Sequence, residues 1–278
     1  MKRALPLLVA LLVFAGCGGS SQPSIPKIGA AKTYHLTGEE PAQPVQPGPA
    51  TLAFTVDQPS GQPLTRYRRG PGPHTGIHVI VVKDDLSDII HRHPPIGADG
   101  KVRETIDLPS PGRYRVLADV FPQLSGPLRN FQLHYNIRVA GRSRPRPLPP
   151  FSSTETVGGF HVQVHGEPKL RVARAAFMRI TVTDPSGRPA RFTPWYGALA
   201  HAVFFHEGNL DYFHTHVCGA STPGCTTFVA PTPAPSRSTK PGQLRVGILL
   251  PESGTWRMFL QFKVNGRILT APFTLSVR

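Results

Sequence analysis

The sequence predicts an all-β protein: two tandem immunoglobulin-like or cupredoxin-like β-sandwiches behind a lipoprotein signal peptide. Three observations carry this. The 278 residues include 32 Pro and 27 Gly, and no dozen-residue window keeps a helical apolar period uninterrupted. Short apolar or alternating runs bounded by turn residues recur instead, among them "ATLAFTV", "GIHVIVV", "FMRITV", "ALAHAVFF" and "TWRMFLQFKV", as sandwich strands do. Three sequence blocks also occur twice in the same order, which marks a duplicated unit.

The first element is "MKRALPLLVALLVFAGC", with basic Lys2 and Arg3, an apolar stretch from Leu5 to Phe14, and small residues leading to Cys17. The stretch is too short to cross a bilayer and has the form of an export signal. Its "FAGC" end resembles a lipobox, so residues 1–17 are expected to be the signal and Cys17 the lipidated residue. An ordinary signal peptide cleaved nearby is the alternative, and either places the mature chain outside the cytoplasm. Residues 18–30, polar and small, then read as a flexible tether.

The first sandwich is expected over 31–140 and the second over 156–278, joined by a proline-rich, semi-rigid connector at 141–155. "TVDQPSGQP" from Thr55 returns as "TVTDPSGRP" from Thr181, and "PSPGRYRVLADVF" from Pro109 as "PESGTWRMFLQFK" from Pro251. The latter aligns Gly112 with Gly254, Tyr114 with Trp256, Arg115 with Arg257 and Asp119 with Gln261. The second copy carries an inserted loop at about 217–242, small, polar and proline-rich. Cys218 and Cys225 stand at its start. In an oxidising compartment the pair is expected to form a disulfide, with a thiolate ligand at Cys218 the alternative.

The third repeated block is the one with chemistry in it. "HVIVVKDDLSDIIHRH" (His78, His91, His93) and "HAVFFHEGNLDYFHTH" (His201, His214, His216) keep one histidine spacing on different turn sequences. A hairpin centred on Asp84 and Asp85 puts His78 opposite His91, and one centred on Glu207 and Gly208 puts His201 opposite His214. His93 and His216 then lie on the same face as their partners, so three imidazoles converge in each copy. Three neutral imidazoles with an open position suit copper or zinc. Asp88, Asp119 and Asp211 could orient these rings through their second nitrogens.

The competing explanation is a core in which the same histidines simply hydrogen-bond, since Ile80, Val82 and Ile89 share their face. His74, His161, His165 and His206 offer weaker candidates, and Met178 and Met258 read as core.

The composition argues against other classes. Formal net charge is +15, or +13 once Lys2 and Arg3 are removed, but most of the basic residues are scattered, and the one tight cluster, "RYRR" from Arg66 to Arg69, is short and lies in a Gly/Pro-rich loop. That pattern favours an anionic envelope surface over nucleic acid. No GxSxG and no phosphate-cradling glycine loop is present, and the HxH pairs lack the helical HExxH setting of metallohydrolases. The expectation is a binding protein and not an enzyme.

Taken together, "GIHVIVV", "IIHRHP" and "PGRYRVLADV" in the first copy, with "LAHAVFF", "YFHTHV" and "SGTWRMFLQF" in the second, resemble a group of exported bacterial proteins and lipoproteins. Members are sometimes labelled as heavy-metal- or copper-associated. The resemblance covers most of both copies and departs at Val217, which stands where the first copy has Pro94. It implies a β-sandwich, an envelope location and a metal role, and no reaction. The expected function is copper or zinc buffering or delivery by a membrane-anchored lipoprotein with an unknown protein partner. The alternative is a structural or adhesive envelope module.

Overall fold

In the computed structural model, residues 33–68, 76–123, 130–219 and 240–278 are described. The signal, lipobox and tether, His74, Cys225 and the side chain of Cys218 lie outside them, and so therefore does the expected disulfide. The described residues contain strands and no helix long and apolar enough to cross a membrane.

The first repeat is built from β1 (His35–Glu40), β2 (Gly48–Asp57), β3 (Ile77–Lys83), β4 (Ile89–Arg92), β5 (Lys101–Leu108), β6 (Gly112–Val120) and β7 (Phe131–Val139). A three-stranded sheet of order β1-β2-β5 faces a four-stranded sheet of order β4-β3-β6-β7. Leu52, Phe54, Val56, Val102 and Ile106 from one layer pack with Val79, Val81, Tyr114, Val116 and Ala118 from the other, giving one sandwich core. A stretch without regular structure follows, and β8 (Thr154–Val157) opens the second half.

The second repeat adds β9 (Phe160–Val164), β10 (Ala176–Thr183), β11 (Ala200–His206), β12 (Tyr212–Gly219), β13 (Gln243–Ile248), β14 (Gly254–Val264) and β15 (Arg267–Val277). The same three-on-four plan recurs, with β9-β10-β13 answering β1-β2-β5 and β12-β11-β14-β15 answering β4-β3-β6-β7. The two layers here run together as one eight-stranded sheet, because β12 extends to pair Cys218 with Arg245 of β13. Their inner faces still close on one core around Trp256, Phe204, Phe262 and Phe273. The fold is all-β, two immunoglobulin-like sandwiches in tandem.

Glycine has a definite role at one repeated position. Gly112 and Gly254 open β6 and β14 with φ of +141° and +123°. A Cβ there would meet the Lys83 side chain at 2.9 Å in the first repeat and collide with the His206 imidazole in the second. Lys83 and His206 both end the strand bearing the lone histidine, so the two repeats share the same close approach.

The burial pattern shows how the sandwiches meet. β5 and β13 alternate buried and exposed residues, as half-buried strands do, whereas all of β3 and nearly all of β11 is buried. Val79 and Val81 face their own core, and Ile80 and Val82 face away from it. Those outward residues, with Leu86 and Leu117, pack against Val203, Phe205, Leu210 and Phe259 of the second repeat. A third apolar core thus lies between the two four-stranded sheets, and residues 33–278 form one compact unit. Leu148, in the connector, packs against the same seam. The histidine face, which the competing explanation turned toward a core, is the face toward the other repeat.

Candidate metal centre

Each lone histidine is the second residue of a strand in the interior of its sheet. His78 on β3 pairs with Asp119 on β6, and His201 on β11 pairs with Gln261 on β14. The HxH pairs come from β4 and its continuation and from β12. In the hairpins the register is two residues further on than the turn sequences predict. Ile80, not His78, lies opposite His91, and His201 lies opposite His216 while Val203 faces His214.

The cause is a longer turn. Lys83 bonds Asp88 and His206 bonds Asp211 across it, and Leu86 and Leu210 take left-handed φ of 57° and 59°. Both leucines are buried in the seam, which offsets an unfavourable backbone region for a branched residue. A shift of two leaves every side chain on the face it would otherwise occupy, so the histidines still converge.

They converge on one another across the seam. His78 and His214 have ring centroids 4.9 Å apart, His91 and His201 5.1 Å, and His91 and His214 5.2 Å. His78, His91 and His201 are 2 %, 1 % and 0 % exposed. His93 is buried as well, and His214 and His216 are half-buried.

Hydrogen bonds fix two tautomers. His91 Nδ1–H donates to Gln261 Oε1 at 3.1 Å, an amide oriented by its own Nε2–H donating to Thr270. That leaves the His91 Nε2 lone pair facing His93 Nε2, 3.1 Å away. His201 Nε2–H donates to the Trp195 carbonyl at 3.0 Å, and its Nδ1 lone pair faces His214 Nε2, also at 3.0 Å. Rings held at one nitrogen and convergent at the other have the arrangement of metal-binding imidazoles. Burial holds the His91 and His214 pKa values well below the ordinary histidine range, helped by the neighbouring histidines, so both rings are neutral at physiological pH.

Three overlapping groups have ligand atoms all within 4.8 Å of one another: His78, His91 and His93; His91, His201 and His214; and His78, Asp119 and His214. Only the first lies within one repeat. The trio of His201, His214 and His216, expected as a second site, is not among these groups, although His216 stacks edgewise on His201 at 4.8 Å.

Of the three carboxylates expected to support the rings, Asp119 is the one in place. It is 2 % exposed, lies 3.5 Å from His78 Nδ1, and accepts hydrogen bonds from Asn130 at 2.7 Å and Tyr212 of the other repeat at 3.4 Å. Asp88 accepts from Ser87 and Ser110 beyond the turn. Asp211 is exposed in the second turn. Both carboxylates stand beyond the end of the strands opposite the histidines, because the longer turns carry them away.

Sequence reasoning missed Trp195 and Tyr196. They close the cluster from a tight turn before β11, in which Trp195 and Ala198 exchange backbone bonds around Tyr196 and Gly197, both at positive φ. Tyr196 stacks on His93 with centroids 3.7 Å apart and planes within 7°. The signal was the "WYG" turn a few residues ahead of a candidate ligand. Arg115 and Arg257, the aligned arginines next to Tyr114 and Trp256, are also drawn inward. Arg115 donates to the Asn209 carbonyl across the seam at 2.8 Å, and Arg257 is buried against Thr274. Of the weaker candidates among the described residues, His161 and His165 bond threonines, and His206 bonds the Ser253 carbonyl.

A family model described as a domain of unknown function (DUF8832) matches residues 155–278, the second sandwich. No curated protein matches the chain. Among solved structures, the chain is similar to red sea bream transglutaminase (15% identity, TM-score 0.23, 89% of this chain and 32% of that one). It is similar also to invasin, a bacterial integrin-binding protein (16%, 0.24, 88% and 38%). A third is a putative membrane anchored protein from Corynebacterium diphtheriae (13%, 0.27, 89% and 57%). The chain thus spans less than two thirds of the length of each.

Proposed function

We propose that this chain binds a transition-metal ion, copper or zinc, at the histidine cluster between its two sandwiches, and that it stores, buffers or delivers the ion without catalysing a reaction. The observation that supports this reading is the pairing of anchored and convergent nitrogens. His91 and His201 each spend one nitrogen on a protein acceptor and turn the other, unprotonated, toward a neighbouring imidazole. Neutral nitrogen donors of this kind favour copper and zinc over hard cations.

Equilibrium titration with Cu(II) and Zn(II) tests the reading. Binding far tighter than that of scattered surface histidines is expected, and its loss when His78, His91, His93, His201, His214 and His216 are all replaced by Ala. Binding by that variant equal to the parent's would sink it.

The second reading is a structural or adhesive envelope module. It is favoured by the same short contacts, since an Nε2–H on His93 and on His214 completes two hydrogen-bonded chains without an ion. It predicts lowered thermal stability on substitution and no dependence on metal.

We place the protein outside the cytoplasm, anchored to the membrane through lipid on Cys17 and drawn to anionic envelope surfaces by its positive charge. Fractionation of cells expressing Cys17→Ser tests the anchor: release from the membrane is expected, and unchanged membrane association would refute it.

A further inference from the structure

Resting on the metal-binding reading, we infer that the chain holds one ion and not one per repeat, and that His91 of the first sandwich with His201 and His214 of the second binds it across the seam. The duplicated sequence points to two equal sites. Three observations about the folded chain point elsewhere.

First, every pair of the three ligand groups shares a histidine: His91 joins the first two, His78 the first and third, and His214 the second and third. His91 has a single lone pair to give, because its Nδ1–H is committed to Gln261. One ion bound at Nε2 of His91 therefore excludes a second ion there. Second, two of the three groups draw on both repeats, and the second repeat contributes no group of its own among the described residues. Third, the His91, His201 and His214 group contains two rings whose far nitrogens hold short hydrogen bonds, at 3.1 and 3.0 Å. In the group confined to the first repeat His91 is likewise held by Gln261, and His78 rests on Asp119 at the longer 3.5 Å. Ligands already oriented lose less freedom on binding.

A consequence follows for the fold. An ion on these three ligands joins β4 of one sandwich to β11 and β12 of the other, beside the apolar cluster of the seam. Binding then stabilises the docking of the two repeats as well as the ion.

The experiment is Zn(II) titration of the full chain in competition with a chromophoric chelator, alongside hydrogen exchange with and without Zn(II). One ion per chain is expected, with added protection in β11 and β12 as well as β3 and β4. His214→Gln should weaken Zn(II) binding at least about tenfold, the scale on which even supporting residues act. His216→Gln, on the same strand face but outside every ligand group, should weaken it less than that. Saturation at two equivalent ions, or protection confined to the first repeat, would overturn this inference and leave the metal-binding reading standing. Absence of binding above the surface-histidine background would overturn both. The stoichiometry and exchange measurements use the unmodified chain, so they decide the matter even if a variant fails to fold.

Discussion

His91 and Gln261 stand 170 positions apart in the chain, and the 3.1 Å bond between the imidazole Nδ1 and the amide Oε1 joins the two repeats at the edge of the histidine cluster. Gln261 occupies the position that Asp119 has in the first copy, opposite the lone histidine of the neighbouring strand. The duplicated position has diverged into two partners: Asp119 lies beside its own repeat's histidine and also accepts from Tyr212 across the seam, whereas Gln261 holds a histidine of the opposite repeat. Replacing Gln261 by Met would keep most of the volume and strip the acceptor from a buried N–H. A loss of about 1–3 kcal/mol in unfolding free energy is expected by denaturant titration. On the metal-binding reading, affinity for Zn(II) should also fall by about 10–100-fold.

The seam should be a stability determinant apart from any ion. Phe205 is fully buried in the apolar cluster between the sheets, and its neighbours come from both repeats. Phe205→Ala is expected to cost about 3–5 kcal/mol, as for other large core truncations. A change no larger than that of an exposed-site control such as Phe177→Ala, measured by urea unfolding in the presence of a chelator, would show that the sheets do not depend on this contact.

Gly254 gives a sharper local test. Its φ of +123° is strained for any L side chain, and an added Cβ would strike the His206 ring. Gly254→Ala should therefore lower stability by at least about 1–3 kcal/mol. Gly166→Ala, also at positive φ but with open space around the position, should cost less.

The metal-free protein should be sensitive to acid. Burial lowers the pKa values of His91 and His214 in the folded state, so the unfolded chain binds more protons than the folded one below the ordinary histidine value of about 6.5. The stability these neutral rings contribute is complete above that pH and is lost as pH falls toward their folded pKa values. Each proton taken up on unfolding steepens the decline by about 1.4 kcal/mol per pH unit. Urea midpoints measured between pH 7.5 and 5 in the presence of a chelator check this. A flat profile would mean that the rings are protonated in place at little cost.

Much of this molecule is legible in one dimension. Strand length, proline and glycine punctuation, and the blocks repeated from Thr55 and Thr181 and from Pro109 and Pro251 determine an all-β duplicated chain, because alternation and turn chemistry are local properties. The convergence of His78 with His91 and His93 is local too. A register error of two residues does not undo it, since the pleat repeats every two. The contiguous apolar runs of β3 and β11 even carried notice that both faces of those strands are covered.

Which surface covers them is not a local property. The seam exists because two outward faces, Ile80, Val82 and Leu117 on one repeat and Val203, Phe205 and Phe259 on the other, bury more apolar area against each other than against water. That docking alone brings His91 to Gln261, His78 to His214 and Tyr212 to Asp119. Sequence by itself determined the sandwiches and the face on which the six histidines stand. The packing of one sheet on the other decided that they form a single cluster.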